Sequence, residues 1–266
     1  MSSFLDRAAA SARANVLAWK GRYPEPIIMK RARPKGFLPA GSGDCGVIAE
    51  IKRRSPSRGD LMGQVDPASF PLLYKRGGAD AVSVVVEEQY FGGSPELFQQ
   101  ISEMTDLPLL WKDFVVDPFQ IRLAAELGAS AVLLIAGMLT DTEMTTYIAI
   151  AREEGLRPLV EVHDTAELDR AVDAGADLIG VNNRNLVTLE VDIAVSEKLA
   201  GRLPAQVQGV SESGIRTPED VALMAAFGYR AVLIGESLVT AGNTEELLRK
   251  MVTAGRGARE TLRHDD

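Results

Sequence analysis

The sequence has little of several features that would define a function class at once. It contains one cysteine, Cys45, and two histidines among 266 residues. A single cysteine excludes an internal disulfide and is typical of a reducing compartment, where we expect a small buried side chain. No apolar run approaches the ~20 residues that span a bilayer, and the N-terminus lacks the basic and apolar regions of a secretory signal. We therefore expect a cytoplasmic protein without a membrane partner.

Positive charge is also in deficit. The chain has 29 lysines and arginines against 37 aspartates and glutamates, which gives a net charge of −8. Nucleic acids are bound through clustered positive charge, so this balance argues against a nucleic-acid partner. The composition, 46% apolar and 25% charged, is that of a globular protein with one large domain or two small ones.

What the sequence does contain is a repeat that begins near residue 47. Each unit has a short apolar run, a polar loop, an amphipathic segment and a glycine. Proline directly after Asp66, Ser94, Asp117 and Thr217 is typical of helix N-termini. Strands that are apolar on both faces and alternate with helices indicate a parallel sheet covered by helices. The eight apolar runs are residues 47–52, 81–86, 108–112, 131–135, 157–162, 177–182, 206–212 and 230–235.

Eight consecutive strand–helix units favour an α/β fold in which one sheet closes into a (β/α)8 barrel, the TIM barrel. An open dinucleotide-binding sheet is disfavoured, because no Gly-x-Gly-x-x-Gly turn follows the first strand. We expect residues 1–46 to form a helix and a connector that pack on a barrel of residues 47–262, and residues 263–266 to fray. The N-terminal helix is predicted from the spacing of Phe4, Leu5, Ala8, Ala9, Ala12, Val16 and Leu17.

Two charges interrupt the first apolar run. Glu50 and Lys52 are two residues apart, so their side chains point to the same face of the strand. A charge in the interior costs several kcal/mol unless it is paired or solvated. Taken alone, the pair has two interpretations: a buried ion pair that serves the fold, or part of an active site.

Polar residues recur where the other predicted strands end. In TIM barrels the active site lies at the C-terminal ends of the strands, which meet at one rim. Any one of these residues is explained as a satisfied core charge, but several charges on one rim would each need a separate desolvated partner. We therefore predict an active site at this rim. Its candidate catalytic residues are Glu50, Lys52, Lys112, Glu161, Asn182 and Glu212.

Glycine-containing loops follow the seventh and eighth strands. Ser213 and Gly214 precede one predicted helix, and Gly235 and Glu236 follow the last strand. Loops at these positions commonly bind phosphate through backbone N–H groups and a helix N-terminus; the alternative is that the glycines form ordinary tight turns. A phosphate here requires the backbone N–H of Glu236 to face the ligand while its carboxylate points away.

Seven segments, in order from the first strand to the eighth, form a pattern: EIKRRSPS at 50–57, YFGGS at 90–94, KDF at 112–114, LVEVH at 159–163, NNRNL at 182–186, SESGI at 211–215 and GESL at 235–238. They resemble the indole-3-glycerol-phosphate synthase family of tryptophan biosynthesis, and the first segment is the most specific. The resemblance implies a carbon–carbon lyase that converts 1-(2-carboxyphenylamino)-1-deoxyribulose 5-phosphate into indole-3-glycerol phosphate. Carbon dioxide and water are released, without a cofactor or metal.

The resemblance also implies roles for the rim residues. Lys112 is then the general acid of ring closure, Lys52 binds near the substrate carboxylate and is a candidate second acid, and Glu161 and Glu50 assist proton removal and loss of the hydroxyl. The glycerol chain is held by Asn182, Arg184, Glu212 and Ser213. Candidate walls of the aryl pocket are Pro56, Phe91, Phe114 and Leu133. The phosphate is assigned to Ser55, Lys52, Gly214, Gly235 and Glu236.

The protonation state of the proposed acid has two opposing influences. A lysine near other cations and a desolvating wall has a depressed pKa, which suits proton donation near neutrality. Neighbouring carboxylates act in the opposite direction. Which glutamate and which lysine form each working pair is therefore open.

Two features depart from the family pattern. Trp111 stands where a basic residue is usual; strand alternation points it outward, so we expect it to affect packing. Residues 19–37 look unlike the usual N-terminal extension, which helps to cover the mouth of the barrel in the family. Two alternatives follow: a paralogue acting on a substituted-ring analogue in secondary metabolism, and a non-catalytic phosphate-binding barrel. The resemblance also suggests other enzymes of the tryptophan pathway as protein partners.

Overall fold

A computed structural model describes residues 4–23, 37–38, 44–186 and 188–262. Eight parallel strands close into a barrel in which the last strand pairs with the first, as the sequence predicts. A separate antiparallel hairpin, β2–β3, follows the first strand. In chain order the strands are β1 (Gly46–Ile51), β2 (Arg54–Ser55), β3 (Gly59–Asp60), β4 (Ala81–Val85), β5 (Leu109–Lys112), β6 (Ala131–Ile135), β7 (Arg157–Val162), β8 (Leu178–Asn182), β9 (Gln208–Glu212) and β10 (Ala231–Ile234).

Helices connect the barrel strands and cover their outer face. The predicted N-caps are confirmed: the Ser94 side chain accepts the N–H of Leu97, and Asp117 and Thr217 each form a capping box. The helices are α1 (Phe4–Arg22), α2 (Phe70–Gly77), α3 (Glu88–Phe91), α4 (Pro95–Met104), α5 (Pro118–Glu126), α6 (Asp141–Glu153), α7 (Thr165–Asp173), α8 (Ala194–Ala200), α9 (Pro218–Ala226), α10 (Glu236–Val239) and α11 (Thr244–Leu262), with short 3-10 turns at Pro67–Ser69 and Ala136–Met138.

Alternation along the strands divides the core into two layers. Val47 and its neighbour Val232 belong to the layer between strands and helices, whereas Ile48 and Leu233 fill the barrel interior. Each buried side chain of this size contributes about 1.5–3 kcal/mol of hydrophobic free energy. Because side chains two apart share a face, Glu50 continues the interior face of Ile48. The Glu50 carboxylate at the end of β1 therefore lies at the open end of the barrel interior.

The N-terminal helix α1 packs on the barrel through one narrow face. Phe4, Ala8, Ala12 and Val16 are buried, as predicted. The prediction that Leu17 joins this face is wrong, since its exposed fraction is 74%. The next buried position after Val16 is Trp19, three residues on, because the spacing of three and four returns to the same side of a helix.

Trp19 connects the helix to the outer layer of the barrel. Its indole Nε1 donates to the carboxylate of Glu88 at 3.0 Å, and its ring meets Trp111 at a centroid distance of 6.2 Å. Trp111 is fully buried and also contacts Phe98, at 4.9 Å. The prediction that Trp111 points outward and serves packing is therefore confirmed.

Other expectations have mixed outcomes. Cys45 is buried. No helix within the described ranges is long and apolar enough to cross a membrane. Most of the predicted connector (24–36 and 39–43) and the predicted frayed tail (263–266) lie outside the described residues. The division into an extension of residues 1–46 and a barrel of residues 47–262 stays a prediction.

Candidate active site

A cavity of about 340 Å³ opens at the carboxyl ends of the barrel strands. Every residue that the sequence assigns to the site lines this cavity, including all the candidate catalytic, aryl-wall and phosphate residues. The convergence follows from topology, since strands of a parallel barrel all end at one rim. The geometry brings the residues together, and their individual roles remain predictions.

Lys112 lies at the centre of the charged group. Its Nζ is 2.7 Å from Oε2 of Glu212 and 3.3 Å from Oε2 of Glu161. The other oxygen of Glu161 accepts a hydrogen bond from Nδ2 of Asn182 at 2.9 Å, and Oδ1 of Asn182 accepts the N–H of Arg184, also at 2.9 Å. One lysine from β5 is therefore shared between carboxylates from β7 and β9, and β8 holds one of them in place.

The three carboxylates determine the protonation of this group. Burial lowers the pKa of Lys112, but attraction to Glu212, Glu161 and Glu50 outweighs burial, so its pKa is raised above the ordinary value. Of the two opposing influences on the Lys112 pKa that the sequence left open, the carboxylates are the stronger. For Glu212, burial is the strongest influence and raises the pKa to about 7, despite the attraction of Lys112. The site thus contains a charged lysine beside a glutamate that titrates near neutral pH.

Glu50 and Lys52 form the ion pair that the first strand suggested. Lys52 Nζ is 2.6 Å from Oε1 of Glu50, and both side chains face the cavity. Burial raises the pKa of Glu50, but Lys52 and Lys112 outweigh burial and lower it below the ordinary value. An added Cβ at Gly235 would overlap the Glu50 carboxylate and lie 3.0 Å from the Lys52 ammonium. The end of β10 therefore needs glycine to leave room for this pair.

Aromatic side chains line one wall of the cavity. Phe114 lies at its centre, with ring centroids 6.3 Å from Phe91 and 6.0 Å from Phe4. Leu133 and Pro56 are also lining residues, as predicted. Phe4 was not predicted for the site, although it was predicted to lie on the helix face that packs on the barrel. Helical spacing predicts that Phe4 faces the barrel, but it does not predict which part of the barrel Phe4 contacts, because that contact is long-range.

The loops after β9 and β10 line the opposite part of the cavity. Ser213 and Gly214 both have left-handed backbones, with φ of 65° and 81°. For Ser213 this conformation is uncommon, and such outliers often occur at functional sites. An added Cβ at Gly214 would overlap Val191 and Ile193. The carboxylate of Glu236 is paired with Arg58, with Oε1 3.0 Å from Nε.

Gly180 is a site residue that the sequence did not reveal. It lies in β8, beside Glu212, and an added Cβ would overlap Oε1 and approach Cδ of that glutamate to 3.2 Å. Oε1 of Glu212 is buried and has no hydrogen-bond partner among the described residues. Because Gly180 has no side chain, the Glu212 carboxylate can occupy the space beside it. A glycine inside a predicted strand was the available signal.

Two further buried acids lie near the aromatic wall. Glu87 caps α3 by accepting the backbone N–H groups of Gln89, Tyr90 and Phe91. Burial raises the pKa of Glu87. Glu87 and Asp113 directly follow the apolar runs 81–86 and 108–112, which is the signal that could have found them.

The second acid, Asp113, accepts hydrogen bonds from Gln120 Nε2 at 2.8 Å and from the N–H of Phe114 at 2.9 Å. Burial raises the pKa of Asp113 to about 7. Within the described part of the chain, no group of three or more histidine, cysteine, aspartate or glutamate side chains is placed to hold a metal ion.

A closed parallel barrel with acids and bases converging at the carboxyl ends of its strands defines a TIM-barrel enzyme. Among solved structures, the fold is similar to that of thiamine phosphate pyrophosphorylase from Pyrococcus furiosus, with a TM-score of 0.62 and 14% identity over 80% of this chain and 96% of that one. This likeness shows the fold alone. The chain belongs to the indole-3-glycerol phosphate synthase family, whose family model matches residues 32–251.

Curated relatives support the same assignment over nearly the whole chain. Indole-3-glycerol phosphate synthase 1 of Streptomyces coelicolor is 43% identical over 98% of both chains. Indole-3-glycerol phosphate synthase of Arthrobacter sp. strain FB24 is 42% identical over 96% of this chain and 89% of its own. That of Paenarthrobacter aurescens is 47% identical over 81% of this chain and 79% of its own. The resemblance stated from the sequence segments is therefore confirmed.

Proposed function

We propose that this protein converts 1-(2-carboxyphenylamino)-1-deoxyribulose 5-phosphate into indole-3-glycerol phosphate, carbon dioxide and water, in tryptophan biosynthesis. The observation that carries the proposal is the shared position of Lys112 between Glu161 and Glu212, inside a cavity with an aromatic wall. The reaction needs an acid, a base and a site for an aryl ring in one enclosure, and the ammonium, carboxylate and aromatic side chains that line this cavity support the proposal. Family membership supplies the substrate class.

In the first step, the ring carbon that bears the carboxylate attacks the ketone carbon of the deoxyribulose chain. The carbonyl oxygen gains negative charge, and Lys112 donates a proton to it, which produces a hydroxyl. The raised pKa of Lys112 keeps this proton in place until substrate arrives. Glu161 and Glu212 take two of the three N–H donors of Lys112, which leaves the third for the carbonyl oxygen of the substrate.

In the second step, carbon dioxide leaves and its bonding electrons restore the aromatic ring. The third step removes water: the hydroxyl departs with a proton from an acid, and a base takes a proton from the carbon next to the nitrogen. Glu161 and Glu50 are the candidate bases, and Lys52 is the candidate second acid beside Glu50. Asn182 fixes the orientation of Glu161 by its hydrogen bond to Oε1.

The two ends of the substrate have separate locations in the proposal. The aryl ring packs against Phe114, Phe91 and Leu133, with Pro56 at the edge of the wall. The phosphate lies between the loop after β1 and the loops after β9 and β10. Its ligands are Ser55, Lys52 and the backbones of Gly214, Gly235 and Glu236, while Arg184 and Ser213 hold the chain between the two ends.

Product fluorescence provides the test. Purified protein mixed with the carboxyphenylamino substrate should develop indole fluorescence in step with release of one carbon dioxide per product. The proposal fails if wild-type protein gives no signal while it still binds the substrate, and such binding would instead support a non-catalytic barrel. A strong preference for a ring-substituted substrate would assign the protein to the paralogous alternative.

We also propose that the protein is cytoplasmic and that other enzymes of the tryptophan pathway are its partners.

A further inference from the structure

An ion pair crosses the cavity at the end assigned to phosphate. Arg58 lies in the turn between β2 and β3, three residues after the predicted phosphate ligand Ser55, and Glu236 is the first residue of α10. Nε of Arg58 is 3.0 Å from Oε1 of Glu236, and both residues line the cavity. The side chain of Arg58 is 58% exposed and that of Glu236 is 24% exposed, so the contact lies at the mouth where a ligand would enter.

Four other lysines and arginines line this cavity, and three of them are engaged elsewhere; the fourth is Arg216. Lys52 is paired with Glu50, and Lys112 with two glutamates deeper in the barrel. Arg184 donates from Nη1 to the carbonyl oxygen of Leu189. Arg58 differs, because its ion pair uses Nε and Glu236 is the only partner of its side chain among the described residues. Its two terminal nitrogens are therefore available to a ligand.

Glu236 poses an electrostatic problem for the proposed phosphate site. Its backbone N–H is a proposed ligand of the phosphate, yet its side chain carries a negative charge a few bonds away. A dianion beside an uncompensated carboxylate would be repelled. A guanidinium that contacts both groups removes this repulsion, because its planar fork presents donors in two directions at once.

We propose that Arg58 is a further side-chain cation of the phosphate site, in addition to Lys52, and that Glu236 positions it. Glu236 holds Nε, and the terminal nitrogens of Arg58 donate to the phosphate oxygens. This inference rests on the proposed function for the identity of the phosphorylated substrate, but it concerns phosphate binding alone. It assigns a binding role to Arg58 that the sequence segments did not, and it gives the Glu236 carboxylate a positioning role.

A four-protein comparison tests the arrangement: wild type, Arg58→Ala, Glu236→Gln and the double variant. The probe is inorganic phosphate, titrated by calorimetry at constant ionic strength, so no turnover is needed. Arg58→Ala should weaken phosphate binding roughly tenfold or more, as expected for lost charge-assisted hydrogen bonds. Glu236→Gln should weaken it slightly when Arg58 is present and strengthen it when Arg58 is absent. This reversal of sign is specific to a carboxylate that acts through the arginine.

Arg249 and Glu245 provide a matched control. They form an ion pair on α11 with side-chain exposures of 57% and 30%, close to those of the Arg58 pair, and neither lines the cavity. Arg249→Ala and Glu245→Gln should leave phosphate affinity and activity unchanged. Arg58→Lys should recover only part of the affinity, since an ammonium cannot span both groups in a planar fork.

The outcomes separate this inference from the proposed function. Unchanged phosphate affinity in Arg58→Ala, or tighter binding in Glu236→Gln with Arg58 present, would overturn the inference. Steady-state kinetics provide a second readout: KM for the substrate should rise in Arg58→Ala much more than kcat falls. A protein that binds phosphate through Arg58 but forms no indole product would refute the reaction and leave the phosphate arrangement standing.

Discussion

Replacement of Lys112 by methionine tests the proposed chemistry most directly, because the two side chains are similar in length and the change removes the charge and the proton. If Lys112 donates the proton for ring closure, kcat should fall 10²- to 10⁴-fold, which corresponds to about 3–5 kcal/mol in the activation free energy. KM should change much less, because the aromatic wall and the phosphate end remain intact.

The structure also predicts the cost to stability. At the observed distances of 2.7 and 3.3 Å from the two glutamates, and an effective dielectric constant of about 20, each attraction is on the order of 5–6 kcal/mol before desolvation is subtracted. Removal of one partner of such a buried group costs about 3–5 kcal/mol in net stability. Protonation of Glu212 reduces this loss of stability, because its pKa is already raised to about 7 and the neutral carboxyl does not need a cationic partner. The loss should therefore be larger at pH 8 than at pH 5.5.

Two measurements complete the test. Indole fluorescence under steady-state conditions gives kcat and KM, and urea unfolding at the two pH values gives the free energy of unfolding. Lys75→Met is the control, since Lys75 is 54% exposed and pairs with Asp106 away from the cavity. A Lys112→Met variant with kcat within tenfold of wild type would refute the assignment of the acid. Equal losses of stability at both pH values would refute the account of the charges.

Three further predictions concern residues near the cavity. Gly180→Ala should lower kcat roughly tenfold or more, because the added Cβ would displace the Glu212 carboxylate. Gly209→Ala is the control, since its Cβ would meet Leu203 and Tyr229, and it should not lower kcat in this way. Equal kcat values for the two variants would contradict the prediction. Burial raises the pKa of Asp113 to about 7, so the free energy of unfolding should fall as the pH rises from about 4 to 7, and Asp113→Asn should flatten that part of an unfolding profile. Phe4→Ala should raise KM more than it lowers kcat, whereas Leu17→Ala on the exposed face of the same helix should change neither.

The rim of the barrel was predictable because it depends on local rules. An apolar strand that ends in a charge is visible in the sequence, and parallel closure sends all such ends to one side. Glu50, Lys112 and Glu161 could therefore be placed together before any distance was known. Trp111 followed from the same rule of alternation, which pointed it away from the interior.

What could not be predicted depends on contacts between distant parts of the chain. Gly180 is important only because Glu212, on the neighbouring strand, needs the space. The direction of the Lys112 pKa depends on how close each carboxylate comes, which no spacing in the sequence specifies. Leu17 and Trp19 show the same limit on a smaller scale, because helical spacing defines a face but not its edges. Long-range geometry thus decided the details of a site whose location was already clear.

The closure of the barrel has a consequence for how the protein matures. β1 pairs with β10, so the loop that carries Ser55 and the loop that carries Gly235 become neighbours only after the last strand has joined. During synthesis from the N-terminus, the two halves of the proposed phosphate site stay apart until nearly the whole chain has emerged. A ligand that binds both loops would stabilise the pairing of β1 with β10. It would stabilise only the closed barrel, by a free energy that grows with ligand concentration. The substrate concentration would then affect the resistance of the barrel to proteolysis as well as the rate of turnover.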